Sequence, residues 1–164
     1  MNNLTSSITR SLGFITLLAI TAPAGAEGGS VVSTPHLEHG PHHLSLLLAG
    51  TDVDSEDPAF TIGGDYEYRV NDLIGVGAVI EHAFGELEAT SVLAVIDIHI
   101  FRGLALQVGP GYEFSEKHDV FIGRVGALYE FEFGQYTLSP QLHYDIHDGV
   151  ENAVVFGLAI GTYF

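Results

Sequence analysis

From Pro41 onward, nearly every segment of the chain alternates hydrophobic and polar positions with period two. This is the pattern of a strand whose two faces meet unlike surroundings, not the 3.6-residue period of an amphipathic helix. The clearest case runs from Tyr136 to His147. There Tyr136, Leu138, Pro140, Leu142, Tyr144 and Ile146 share one face, and Thr137, Ser139, Gln141, His143, Asp145 and His147 the other. The same split sets Phe121, Val125, Ala127, Tyr129, Phe131 and Phe133 against Arg124, Glu130 and Glu132, and Leu104, Leu106, Val108, Pro110, Tyr112 and Phe114 against Gln107 and Glu113. It sets Val92, Ala94, Ile96, Ile98 and Ile100 against Asp97 and His99, and Tyr66, Tyr68 and Val70 against Asp65, Glu67 and Arg69.

Segments centred on Leu46, Asp65, Ala78, Ile96, Val108, Ala127, Leu142 and Leu158 make an even set of eight strands. Short links at Asn71-Asp72, Arg102-Gly103 and Gly134-Gln135 alternate with longer acidic ones over 51–59, 85–89, 115–119 and 148–152. A soluble sandwich would carry lysine and threonine on its polar faces. Here those faces combine carboxylates, arginine and histidine with Gly75, Gly77, Gly109, Gly111, Gly126, Gly157, Ala159 and Gly161, which suits a narrow, crowded lumen. The fold expected for residues 42–164 is an all-β, eight-stranded antiparallel up-and-down transmembrane β-barrel, with its apolar faces turned to lipid. Closure removes the unpaired edges that hydrocarbon could not hydrogen-bond. A soluble ligand-carrying barrel of the lipocalin type is the competing fold, disfavoured by apolar faces on every strand.

The region before the strands predicts export. Asn2 to Arg10 is polar with one positive charge, Leu12 to Ala22 is apolar, and Ala24-Gly25-Ala26 offers a signal peptidase small residues. Eleven residues of helix rise only about 16 Å, short of a hydrocarbon core of about 30 Å, so a membrane anchor is the weaker reading. Residues 1–26 are expected to be a signal peptide and 27–41 a flexible, histidine-rich periplasmic leader. The expected address is the bacterial outer membrane, with both termini and the short turns periplasmic and the longer loops extracellular.

Charge narrows the function classes. The chain has a formal net charge of −16 and no cysteine. Thiolate chemistry is thereby excluded, and the negative field repels nucleic acid and favours cations. The last segment, Val154 to Phe164, ends in an aromatic residue preceded by apolar residues at alternate positions. This looks like the terminal signal read by the bacterial barrel-insertion machinery, although Thr162 stands where a large apolar residue is usual. Over about 41–164 the chain resembles small outer-membrane barrels such as the transmembrane domain of outer membrane protein A. The resemblance implies insertion by that machinery, contact with outer-membrane lipid and lipopolysaccharide, and a monomer. It brings no binding residue with it.

Three groups of residues carry candidate chemistry. Parity points Asp97, Glu113, Glu130, Glu132 and Asp145 into the lumen with Arg69, Arg124, His99 and His143, as it does Asp65, Glu67 and Glu81. Buried charges demand partners, water or a bound cation, and an eight-stranded barrel is just wide enough for its own side chains to fill. A two-residue turn at Gly134-Gln135 pairs Phe133 with Tyr136, and each further pair keeps the same sum. Arg124 then faces Asp145, with His143 diagonal to it and Glu113 within reach. The second group, His36, His39, His42 and His43, is a histidine-rich tract that reads compositionally as a site for zinc, copper or nickel. Thirdly, Thr51 to Pro58 places acids at alternate positions as a calcium loop does, but lacks that loop's glycine and closing glutamate.

These groups lead to a structural or interaction protein with an acidic plugged lumen and acidic surface loops, with a divalent cation as the one cofactor under consideration. A narrow cation-preferring pore is the alternative. A lipid A-modifying enzyme is the rival from another class. It would need a serine with a histidine base, yet Ser139 lies four residues from His143, roughly 13 Å at strand rise, and His82 has no serine beside it in the sequence.

Overall fold

The computed structural model describes residues 40–53, 57–116 and 119–164. The expected signal peptide, most of the leader, and His36 and His39 lie outside the described residues. Every element in the described part is a strand: β1 (His42–Val53), β2 (Ala59–Arg69), β3 (Ile74–Ala83), β4 (Ala89–Phe101), β5 (Leu104–Ser115), β6 (Asp119–Tyr129), β7 (Phe131–Phe133), β8 (Tyr136–His147) and β9 (Ala153–Tyr163). All neighbours are antiparallel. β1 pairs with both β2 and β9, and β6 with both β5 and β8, so the sheet closes on itself.

β6 and β7 are two parts of one stave, which brings the barrel to eight. Phe131 pairs with Leu138 and Leu128 with Gln141 in a single register, which sets Pro140 opposite Tyr129 between them. Proline has no N–H, so a ladder bond is lost there without a slip. Pro110 does the same between β4 and β5. The ladder runs from Leu93–Gly111 to Ile96–Val108 and omits the two pairs between them. A soluble sheet confines proline to edges or bulges, but a closed barrel has no edge, so each proline removes a bond from the interior of the sheet.

Three tight links join strands at the end where β1 begins and β9 finishes, called here the terminal end. Arg102 and Gly103 both have positive φ (37° and 86°), which matches the right-handed twist of a hairpin. Gly134 has φ 66° and holds Phe133 against Tyr136. The third link, over 70–73, is longer than the two residues expected. There Asn71 Oδ1 accepts hydrogen bonds from the backbone N–H groups of Leu73 and Ile74, both at 2.9 Å. The opposite links span only 54–58, 84–88, 116–118 and 148–152, so the contrast in link length is smaller than the sequence predicts. Thr51, expected in the first outer loop, is instead a β1 residue paired with Ala59, its hydroxyl 2.7 Å from that of Thr61.

Leu44, Leu46 and Leu48 of β1 are about half exposed, as are Phe60, Ile80, Phe121, Phe156 and Ile160 around the circumference. An unbroken apolar outer wall is the surface a bilayer requires of a barrel. The inward face departs from expectation in one respect. Between its polar groups lies an apolar layer formed by Val79, Leu93, Val95, Val120 and Ile122 on one side and Leu47, Ala49, Val155 and Ala159 on the other. Within Ser91–Ile100 both faces are rich in apolar residues, and only the parity shared with Asp97 and His99 marks Leu93 and Val95 as inward.

Candidate functional site: the ion-paired lumen

The lumenal groups fall into separate tiers, several of them seated on glycines. Small residues opposite large ones let side chains cross a narrow interior without void. A Cβ at Gly75 would collide with the Glu67 carboxylate, one at Gly126 with the His143 ring, and one at Gly161 with the His43 ring.

Nearest the terminal end, Arg69 of β2 donates from Nη2 to Glu130 Oε2 at 2.7 Å and to the Tyr163 hydroxyl at 2.8 Å, its guanidinium lying 5.5 Å from the Tyr163 ring centroid. Glu130 is held in place by its backbone N–H, which donates to Gly103 O at 2.7 Å. Glu67 Oε1 lies 2.7 Å from His99 Nε2 and 3.3 Å from Arg69 Nε. His43 projects into the same tier, its Nε2 2.8 Å from Thr137 Oγ1 and its Nδ1 3.8 Å from Glu130 Oε1. In the next tier Gln107 donates to Asp65 at 3.1 Å and Asp97 at 3.0 Å, bridging two carboxylates. His143, 1% exposed, pairs through Nε2 with Gln141 at 2.9 Å.

The third tier is the most completely enclosed. Arg124 pairs with Asp145 in the β6–β8 register and donates to it from Nε at 2.8 Å and Nη2 at 2.7 Å. The same guanidinium donates from Nη1 and Nη2 to the two oxygens of Glu81, at 2.6 and 2.7 Å. Glu81 belongs to β3, on the far side of the lumen. A planar guanidinium gripped by two bidentate carboxylates has little freedom left. In the fourth tier Ser91 donates to Glu113 at 3.1 Å, and Glu113 lies 3.4 Å from His147 Nε2.

The residues singled out in the sequence thus do not form one network. Arg124 and Asp145 meet each other but take Glu81 as third member rather than Glu113 or His143. Glu132, expected inside, is exposed at the terminal rim. His42 and His43 lie on opposite faces of β1. His42 contacts Tyr66 on the outer wall and stacks on Phe164, while His43 is lumenal, so the two cannot join one leader site. Sequence reading set Gln107 and Thr137 on the lumenal face without partners, and missed Tyr163 and the Ser91–Glu113–His147 chain. The last was accessible in part, since Ser91 and Glu113 are cross-strand partners.

Among the described residues, the two larger spaces lie at the two ends. A vestibule of about 350 Å³ opens among Val53, Leu87, Glu113, His147 and Glu151, and another of about 370 Å³ among Arg69, His99, Arg102, Glu130 and Glu132. Between them lie cavities of only about 10 and 20 Å³, room for single waters or ions.

Hydrolytic chemistry finds little support among the described residues. Ser91 bonds to the acid rather than to the imidazole, which is the wrong order for a serine–histidine–acid relay. His82 lies 2.9 Å from the Thr90 hydroxyl, but no carboxylate among the described residues orients its ring.

The fold is that of the small eight-stranded outer-membrane β-barrels. The chain is similar to the N-terminal β-barrel domain of OprF from Pseudomonas aeruginosa, with a TM-score of 0.58 and 14% identity over 77% of this chain and all of that one. It is likewise similar to Ail, the attachment invasion locus protein of Yersinia pestis (TM-score 0.54, 16% identity, 77% of this chain and 99% of that one). A de novo designed transmembrane β-barrel fits as well, at TM-score 0.53 and 16% identity over 77% of this chain and 100% of that one. A designed barrel among the neighbours shows that the architecture follows from membrane physics and does not specify a role. No family model and no curated protein matches the chain.

Proposed function

We propose that this chain is a non-enzymatic barrel of the bacterial outer membrane, a closed scaffold whose role is structural or interactive rather than conductive. The observation that carries this reading is the lumen, where two vestibules are separated by the Arg124–Glu81–Asp145 clamp and the apolar layer beside it. Its termini and tight turns would face the periplasm, with the acidic links at the cell surface, where bound divalent cations would bridge them to lipopolysaccharide phosphates. Phe164 closes the β1–β9 seam, its N–H donating to His42 O at 2.9 Å, and would serve as the handle for the insertion machinery. We read the protein as a monomer that does not engage nucleic acid.

Migration on gels after detergent extraction tests the membrane reading. The unboiled protein is expected to run compactly and to shift on boiling, whereas a protein soluble without detergent would end the proposal. In planar bilayers the expected current is weak or absent, and any leak should prefer cations because carboxylates outnumber guanidinium groups along the lumen. A large, long-lived, anion-selective pore would contradict both the plug and its sign.

A further inference from the structure

We propose that the terminal half of the lumen is a binding site for one divalent cation of the zinc class, held by His43 Nδ1 and one carboxylate oxygen each from Glu67 and Glu130. One donor atom from each of these three buried residues lies within 4.8 Å of the other two. Donors around four-coordinate zinc stand roughly 3.3 Å apart, as metal–ligand bonds of about 2.0–2.1 Å require, so modest side-chain rotations would close the set on an ion.

Each ligand is held by a neighbour through one atom, and Glu130 Oε1, the oxygen 3.8 Å from His43 Nδ1, accepts only a long hydrogen bond from the Tyr163 hydroxyl at 3.3 Å, which an ion would displace. With Nε2–H donating to Thr137, His43 keeps its Nδ1 lone pair, and that nitrogen makes no hydrogen bond among the described residues, although the residue is only 7% exposed. Glu67 is held through Oε1 by His99, and Glu130 through Oε2 by Arg69. Such outer contacts orient metal ligands and fix the imidazole tautomer.

The geometry of the space points the same way. His43, Glu67 and Glu130 line the cavity of about 10 Å³, together with Asp65, Asp97 and His99. Four carboxylates against the single guanidinium of Arg69 leave a formal charge of 1 − 4 = −3, which a divalent ion reduces to −1. Calcium takes six to eight oxygens in a roomier cage, whereas one imidazole and two carboxylates match zinc and its neighbours in the first transition row. Glu130 and His99 also line the terminal vestibule, which gives the ion a route in.

The site shares only His43 with the histidine tract, and the experiment separates it from the other three. The parent is the full chain carrying His36→Ala, His39→Ala and His42→Ala, folded in detergent micelles and titrated with zinc by calorimetry and with cobalt by absorption spectroscopy. One ion per chain is expected. His43→Gln and Glu130→Gln should each weaken binding roughly 100-fold or more, and Thr137→Val, which releases the His43 ring, roughly 10-fold. Heat modifiability of each variant reports folding, and if Glu130→Gln fails that check, His43→Gln and Thr137→Val decide. No saturable binding by the parent, or unchanged affinity after His43→Gln, overturns the site. Zinc binding by a barrel that does not enter lipid vesicles would overturn the membrane reading and leave this one standing.

Discussion

Arg124→Ala is expected to destabilise the folded barrel by about 3–5 kcal/mol, more than replacing all three members of its clamp together. The guanidinium is 1% exposed and carries four hydrogen bonds to two carboxylates that are themselves 5% exposed. Its removal leaves Glu81 and Asp145 enclosed without their counter-charge. The triple variant Arg124→Met, Glu81→Gln, Asp145→Asn removes the charges as a set and should recover most of the loss, because neutral groups of similar volume need no counter-charge. Asp145→Asn alone should cost less than Arg124→Ala, since Glu81 still grips the guanidinium. Urea unfolding from lipid vesicles measures all of these. Additive effects across the set would mean that water screens the three charges from one another, and the clamp would then be no plug.

Gly109→Val should be the second most damaging change, costing about 1–3 kcal/mol, whereas Gly123→Ala should leave stability within about 0.5 kcal/mol. A Cβ at Gly109 would collide with the backbone oxygen of Ala94 and stand 2.9 Å from both the Ala94 carbonyl carbon and Val95 Cα. These are backbone atoms, so no rotamer change relieves the contact. β4 and β5 would have to separate where Pro110 has already removed a ladder bond. An open sheet absorbs such a shift at its edge, but a closed barrel passes it to the next staves. A Cβ at Gly123, by contrast, meets nothing within 4 Å. The same unfolding assay compares the two, and equal tolerance would show that the β4–β5 contact is loose in the membrane.

How much of this was legible beforehand follows from the range of each interaction. Alternation is a local property, so it was enough to identify the staves, to separate lipid face from lumen, and to place even Pro110 and Pro140 within strands. The tight turn at Gly134 sets register along its hairpin, so Arg124 and Asp145 could be matched by counting. The length of the links was less legible, because strand ends depend on how far the ladder extends, and at Thr51 it reaches further than composition suggests.

Contacts across the barrel belong to the tertiary structure alone. Glu81 reaches Arg124, Arg69 reaches Glu130, and Gln107 reaches Asp65 only because closure brings together staves that are not neighbours in the sheet. No local period encodes that height and angle around the axis, which follow from strand tilt and stagger. The tract His36 to His43 shows the same limit from the other side. Composition makes it one cluster, but the strand that begins at His42 turns adjacent imidazoles to opposite faces, and two of the partners of His43, Thr137 and Glu130, then come from staves remote in sequence. By itself, then, the sequence determined a two-faced sheet of eight strands and the sign of its charge. Closure decided which charges meet, because across a narrow lumen proximity depends on position around the ring and not on separation along the chain.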